Sequence, residues 1–244
     1  LDYGPFGFME AYDPAFQMWI GGGKHFAFMN QPMAAVVNFK MFCTAMAPLL
    51  GQDTRAIEAM DAVMQALPER MADTLHAMWA QKMGLIEFRA ELFAELHTLM
   101  AQTPVDYTIF WRELSSLPKQ VADLRPSFYV TRGAYGQDPA VMEARWGAWL
   151  HKWHTALMQE GRDPLAVLVA MKQVNPKYIP REWMLVEAYR SATDAGDFTL
   201  VRRLHALLAN PYSEQSPELA ALYYTKKREE YFDLGGTSHC SCSS

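Results

Sequence analysis

The chain has 244 residues, half of them apolar and a fifth charged, which is enough for one large globular domain or two small ones. Its 22 basic and 27 acidic residues give a formal charge of −5, so we predict no nucleic-acid partner. The longest apolar stretches, such as Pro164 to Met171, are far shorter than the roughly 18 to 20 residues of a membrane span, so we predict no membrane partner. Three cysteines are too few for a disulfide framework and favour a reducing compartment.

The first 31 residues are rich in glycine and aromatic side chains, which predicts loops and turns. The chain opens with Leu1 and Asp2 directly inside this segment. We therefore expect it to be a piece of a longer protein and to be inactive alone.

From Pro32 onward, apolar residues recur with the 3.6-residue period of a helix, and Gly, Pro or Thr-Pro separates one stripe from the next. The first stripe comprises Met33, Val36, Val37, Lys40, Met41 and Ala45. Asp138-Pro139 predicts a capped helix start. Helices are predicted at 32–50, 54–66, 68–83, 87–101, 106–116, 138–159, 163–173, 181–195, 197–209 and 217–229, with a connection over 117–137 that holds one short strand candidate near 128–131.

These elements predict a mainly α protein in three parts. A loop segment spans 1–31, a helical body spans 32–234, and a flexible cysteine-containing tail spans 235–244. Trp146, Trp149 and Trp153 share one helical stripe and predict core packing.

Asp2-Tyr3-Gly4 is the most informative short motif, because it places a carboxylate before a glycine that frees the backbone. Kinase-like enzymes use an Asp-aromatic-Gly triplet to hold Mg²⁺ against ATP phosphates, since carboxylate oxygen is a hard ligand. A glycine turn with a capping or solvated Asp2 fits the same triplet, so three residues alone leave both interpretations open.

A longer pattern of sequence blocks runs in order through the whole chain. It comprises Asp2-Tyr3-Gly4-Pro5-Phe6-Gly7-Phe8, Ala11-Tyr12-Asp13-Pro14, Phe28-Met29-Asn30-Gln31-Pro32, Lys82-Met83-Gly84-Leu85, Asp106-Tyr107-Thr108-Ile109-Phe110-Trp111-Arg112, Asn175-Pro176-Lys177-Tyr178-Ile179, Gly196-Asp197-Phe198 and the final Cys242-Ser243-Ser244. In this combination the chain closely resembles the selenoprotein O family of kinase-like protein adenylyltransferases.

The resemblance implies a kinase-like fold that binds ATP and transfers AMP to Ser, Thr or Tyr hydroxyls of proteins. It implies that Asp2 binds Mg²⁺ or Mn²⁺, while the family's other nucleotide-binding groups are not in this chain. The chain is then the helical C-terminal lobe, with the N-terminal lobe missing. The family is cytoplasmic in bacteria and mitochondrial in eukaryotes, and the same compartments are expected here.

The loop after Asp13 departs from the family pattern, because it is shortened and lacks the family's cysteine. The family terminus, where many eukaryotic members carry selenocysteine, implies a redox role for Cys242, with Cys240 as a candidate partner. A solvated tail is the alternative, since a disulfide across one intervening residue is strained.

Two functions from other classes stay open at this point. One is a non-catalytic α-helical interaction module, and the other is a thiol redox protein that uses Cys240 and Cys242. His151 and His154 share a helical face, but no Glu-x-x-His pair accompanies them, so surface or packed histidines are favoured over a metal site.

Overall fold

The fold is mainly α-helical, as predicted. The computed structural model describes residues 7–17, 23–129, 138–228 and 231. Within these residues the only β-type pairing is two isolated antiparallel bridges, Ala11 with Asp106 and Val105 with Phe128. The helices are α1 (Gln31–Leu50), α2 (Thr54–Lys82), α3 (Ala90–Gln102), α4 (Tyr107–Leu114), α5 (Val121–Leu124), α6 (Pro139–Gln159), α7 (Pro164–Val174), α8 (Glu182–Ala195), α9 (Thr199–Leu208) and α10 (Pro217–Tyr223).

Helix α6 lies at the centre of the main core, and its tryptophan stripe packs inward as predicted. Trp146, Trp149 and Trp153 are all fully buried. The indole of Trp149 donates to the Leu92 carbonyl over 2.9 Å, and that of Trp153 donates to the Met83 carbonyl over 2.8 Å. The indole of Trp146 donates to the Thr103 hydroxyl over 3.0 Å, so all three indole N–H groups of the stripe have a partner, and the stripe joins α6 to α3 and to the end of α2.

Helices α6 and α7 begin where their caps predict. Asp138 accepts a hydrogen bond from the Ala140 amide, and Asp163 accepts from the amides of Leu165 and Ala166. Each aspartate stands directly before a proline in the first turn. The local sequence signals and the tertiary fold agree at both starts.

Three predicted boundaries are wrong. Helix α2 runs unbroken through Pro68, where two helices were predicted. A proline removes one backbone donor, yet α2 continues through it and packs against both α1 and α7. Helix α10 ends at Tyr223, before the predicted 229, and the predicted connection over 117–137 holds α5 and a 3-10 turn, Arg125–Ser127.

Helix α1 packs chiefly against α2 and the two 3-10 turns that precede it. Val36 of the predicted stripe is buried there together with Cys43, but Met33, Val37 and Met41 of the same stripe are exposed. Together with the preceding turn, Phe28–Leu50 has the length and composition of a membrane span. The expectation that no stretch reaches that length is wrong, because the polar residues that interrupt the apolar run, with Lys40 as the single charged one, leave the whole segment apolar enough.

Helices α8, α9 and α10 form a smaller second cluster. Met184, Ala188 and Leu204 are its buried centre, and Trp183 and Tyr223 pack around it. Gly196 ends α8 in the left-handed conformation, with φ 63°, as the predicted Gly196-Asp197 turn requires.

Candidate functional site

The predicted site residues Asp2, Cys240 and Cys242 lie outside the described residues. Gly7 is the first described residue downstream of Asp2 in the chain. Residues 7–17, here called the anchor segment, are therefore the part of the structure that connects Asp2 to the helical body.

Backbone hydrogen bonds hold the anchor segment against the start of α4. The Tyr12 amide donates to the Val105 carbonyl over 2.8 Å, and the Tyr107 amide donates to the Glu10 carbonyl over 2.9 Å. These bonds form the Ala11–Asp106 bridge. The segment is thus fixed on both sides of Ala11 although it contains no helix.

Side chains of the anchor segment reach into the main core. Met9 and Tyr12 are buried, and the Tyr12 hydroxyl lies 2.6 Å from Nδ1 of His97 on α3. Burial lowers the pKa of His97 to about 4 and raises the pKa of Tyr12 to about 12. Both groups are therefore neutral near pH 7, and their contact is a neutral hydrogen bond.

A buried ion cluster provides the strongest side-chain anchor. Nη1 and Nη2 of Arg181 donate to the two carboxylate oxygens of Asp106 over 2.8 and 2.9 Å, and Nη1 also donates to Glu10. Asp106 further accepts from the Ile109 amide over 2.9 Å and from the Tyr129 hydroxyl over 3.1 Å. Arg181, just before α8, thus joins the anchor segment to the first turn of α4.

One guanidinium in this cluster faces two carboxylates. Burial raises the pKa of Glu10 to about 7, although Arg181 opposes the rise. Burial alone lowers the pKa of Arg181, but Asp106 and Glu10 outweigh it and raise that pKa. Glu10 Oε1 is buried without a hydrogen-bond partner. Asp106 is therefore the fully satisfied partner of Arg181, and Glu10 is the group that titrates near neutral pH.

A second polar network joins two of the family-like blocks, that of Arg112 on α4 and that of Asn175. The buried guanidinium donates to the carbonyls of Lys172, Asn175 and Tyr212 and pairs with Glu214 over 2.7 Å. Lys172 and Lys177 each approach the same carboxylate to 2.8 Å. Burial raises the pKa of Glu214, but these three cations outweigh it and hold it at about 2.

Lys82 extends this network to the end of α2. Its ammonium donates to Asn175 over 2.7 Å and lies 4.8 Å from the centre of the Trp111 ring. The Asn175 amide in turn donates to the Lys82 carbonyl and to the Ser115 hydroxyl, both over 3.0 Å. Burial lowers the pKa of Lys82 to about 8. These contacts join the end of α2 to Asn175 and Ser115, and they stabilise the helical body.

The described residues contain no group of three or more His, Cys, Asp or Glu that could hold a metal ion. The imidazole of His154 lies 2.6 Å from the Pro118 carbonyl, and its predicted structural role is thereby supported. In the anchor segment, Glu10 is engaged by Arg181, and Asp13 accepts from the Ala15 amide over 2.8 Å.

Comparison with known proteins decides the family. The family described as "Protein adenylyltransferase SelO" matches residues 1–209. The chain belongs to the SelO family. It is 36% identical over 228 residues to "Protein nucleotidyltransferase YdiU" of Thioalkalivibrio sulfidiphilus, covering 91% of this chain and 44% of that protein. The YdiU proteins of Thiobacillus denitrificans and Burkholderia vietnamiensis are 34% and 33% identical, covering 88% and 100% of this chain and 42% and 47% of their own length. The chain spans less than half the length of these relatives.

The sequence analysis did not predict the ion cluster that holds the anchor segment. Glu10, Asp106 and Arg181 lie in or beside quoted blocks, yet no role followed from their order in the chain. Glu10 and Arg181 are 171 positions apart. The one sequence signal for this cluster was a charged residue among apolar neighbours. Such a residue is expected to be buried, but the sequence does not show which residue it pairs with.

Proposed function

We propose that this chain is the helical C-terminal portion of a kinase-like protein adenylyltransferase, which transfers AMP from ATP to Ser, Thr or Tyr hydroxyls of proteins. The observation that carries the proposal is the SelO-family match over residues 1–209, which begins at the Asp2-Tyr3-Gly4 motif. The names of the relatives, protein nucleotidyltransferases, agree with it.

The proposed step is a substitution at the α-phosphorus of ATP. The hydroxyl oxygen of the protein substrate forms a bond to that phosphorus, and the bond to the oxygen that bridges to the β-phosphate breaks. Pyrophosphate leaves, and the hydroxyl proton passes to solvent or to a base supplied outside this chain. Such a reaction depends on positioning and on neutralising charge more than on covalent catalysis.

Asp2 is the residue of this chain that we assign to metal binding. A carboxylate oxygen suits Mg²⁺ or Mn²⁺, and a bound ion would neutralise charge on the ATP phosphates. The resemblance implies that the remaining metal and nucleotide ligands come from the part of the relatives that this chain does not span. The anchor segment follows the Asp2-Tyr3-Gly4 motif in the chain, and its own residues are held on the helical body.

To test this proposal, the chain is mixed with the part of the Thioalkalivibrio sulfidiphilus relative that lies outside the matched region. Transfer of label from α-labelled ATP to proteins of a bacterial lysate is followed with Mg²⁺ present and after chelation. We expect transfer that chelation and Asp2→Ala both abolish. Asp61→Ala is the matched control, because Asp61 is exposed on α2, and it should keep full transfer. Transfer that survives Asp2→Ala would contradict the assignment of Asp2.

A further inference from the structure

The outer face of α1 exposes a series of large apolar side chains. Six large apolar side chains are exposed there, with Met33, Met41 and Leu49 at 67%, 65% and 75%. The other three members of this surface, here called the α1 patch, are Val37, Phe42 and Met46. Large contiguous apolar patches are rare on monomeric soluble proteins, and they mark surfaces that another partner covers.

The α1 patch lies opposite the side of α1 that packs on α2. Val36 and Cys43, the two buried residues of α1, are seven positions apart and share one side of the helix. At about 100° per residue, the six exposed residues spread over the opposite side. Lys40 is the one charged residue in α1. A helix that is apolar all round is normally buried on every side.

We infer that the α1 patch docks the part of the SelO-family polypeptide that this chain does not span, so that α1 becomes a core helix of the assembled protein. The length of the relatives supports this occupant. The chain spans 44%, 42% and 47% of three of them, so more than half of each lies outside the matched region. The inference rests on family membership and length, and it is independent of AMP transfer.

A membrane is the less fitting occupant, because α2 lies alongside α1. The first turns of α2 carry Arg55, Glu58 and Asp61, all exposed. Insertion of α1 would bring these charges to the bilayer or would separate α1 from α2 and expose Val36 and Cys43. A protein surface that is apolar where it meets the patch has no such cost.

The test co-expresses the tagged chain with the unmatched part of the Thioalkalivibrio sulfidiphilus relative. We expect the two to co-purify, and recovery to fall at least about tenfold with Met41→Glu, which places a charge in the contact. Met158→Glu is the matched control, because Met158 is 71% exposed on α6, away from the patch. It should leave recovery unchanged. Equal recovery with both variants would overturn the inference.

A second measurement covers the case in which the separate part does not fold. The two parts are joined in one polypeptide, and maleimide labelling of Met33→Cys is read on its own peptide by mass spectrometry. We expect labelling at least about tenfold slower than in the chain alone, while Met158→Cys reacts equally in both. Equal reactivity of Met33→Cys in both proteins would overturn the inference. Flotation of the chain with phosphatidylcholine vesicles, or self-association of the chain, would also overturn it if Met41→Glu abolished that behaviour.

Discussion

At the scale of single residues, Arg181 is the side chain on which the anchor segment most depends. It is almost fully buried and pairs with two carboxylates from distant parts of the chain. Removing one partner from a buried charge cluster leaves the others uncompensated, which costs more than the cluster contributes when it is intact.

We therefore expect Arg181→Met to lower the free energy of unfolding by about 3 to 5 kcal/mol, because Asp106 is left buried without its counter-ion. Arg190→Met, an exposed arginine on α8, is the control and should change stability by less than about 0.5 kcal/mol. Denaturant unfolding followed by tryptophan fluorescence measures both. Similar stability of the two variants would contradict the role given to the cluster.

Glu10 gives a pH dependence with a defined sign. Its pKa rises from 4.5 to about 7 in the folded protein, so between these values the folded state holds a proton that the unfolded state has lost. Glu10 therefore contributes a slope by which stability falls as pH rises from about 4.5 to 7, by up to about 3 kcal/mol, and this slope opposes the rise that His97 contributes between about 4 and 6.5. Glu10→Gln should remove this slope, while Glu187→Gln, exposed on α8, should keep it. A slope unchanged in Glu10→Gln would assign the titration to another group.

The tail cysteines stay a prediction from the family resemblance. If Cys242 is a redox residue with Cys240 as its partner, mild oxidation should remove both free thiols together, and Cys240→Ser should leave Cys242 free. Mass spectrometry after thiol alkylation measures this. Cys43, which is buried, serves as the internal control and should stay reduced. Only free thiols after oxidation would contradict a redox role.

At the scale of elements, the sequence predicted best where local signals and packing agree. Helices α6 and α7 have an aspartate cap, a proline in the first turn and an apolar stripe that faces the core. The prediction of two helices was wrong because it placed a break at Pro68 from the local sequence alone, whereas α2 continues through this residue in the folded protein. The stripe of α1 was correct in period, but Val36 is its one buried member, since periodicity does not say whether a partner is present.

Gly84, which belongs to a family-like block in the turn between α2 and α3, packs closely against α7. Its φ is +73°, and an added Cβ would lie 2.6 Å from Met171 Sδ and 2.9 Å from Val167 Cγ1. Both neighbours are buried.

We expect Gly84→Ala to destabilise the protein by about 2 to 4 kcal/mol, through backbone strain plus overpacking. Gly161→Ala isolates the strain, because Gly161 has φ +64° with open space around it, and it should cost about 1 kcal/mol. Thermal unfolding of both variants measures the difference. Equal costs would show that Met171 and Val167 yield to the added methyl group.

At the scale of the whole molecule, the chain spans less than half the length of its relatives. The family and the mainly α fold could be predicted from the sequence, because blocks in a fixed order and helical periods are both properties of the linear chain. The convergence of Glu10, Asp106 and Arg181 could not, because it needs the tertiary fold. The predicted compartment, cytoplasmic in a bacterium or mitochondrial in a eukaryote, stays a prediction.

The central claim is that this chain takes part in transfer of AMP. The most direct measurement supplies the chain with the remaining part of the Thioalkalivibrio sulfidiphilus relative, gives the pair ATP labelled at either the α- or the γ-phosphate, and counts each label on protein. Label from the α-phosphate alone, lost in Asp2→Ala and kept in Asp61→Ala, is the predicted result. Label from the γ-phosphate would indicate an ordinary kinase, and it would contradict the claim.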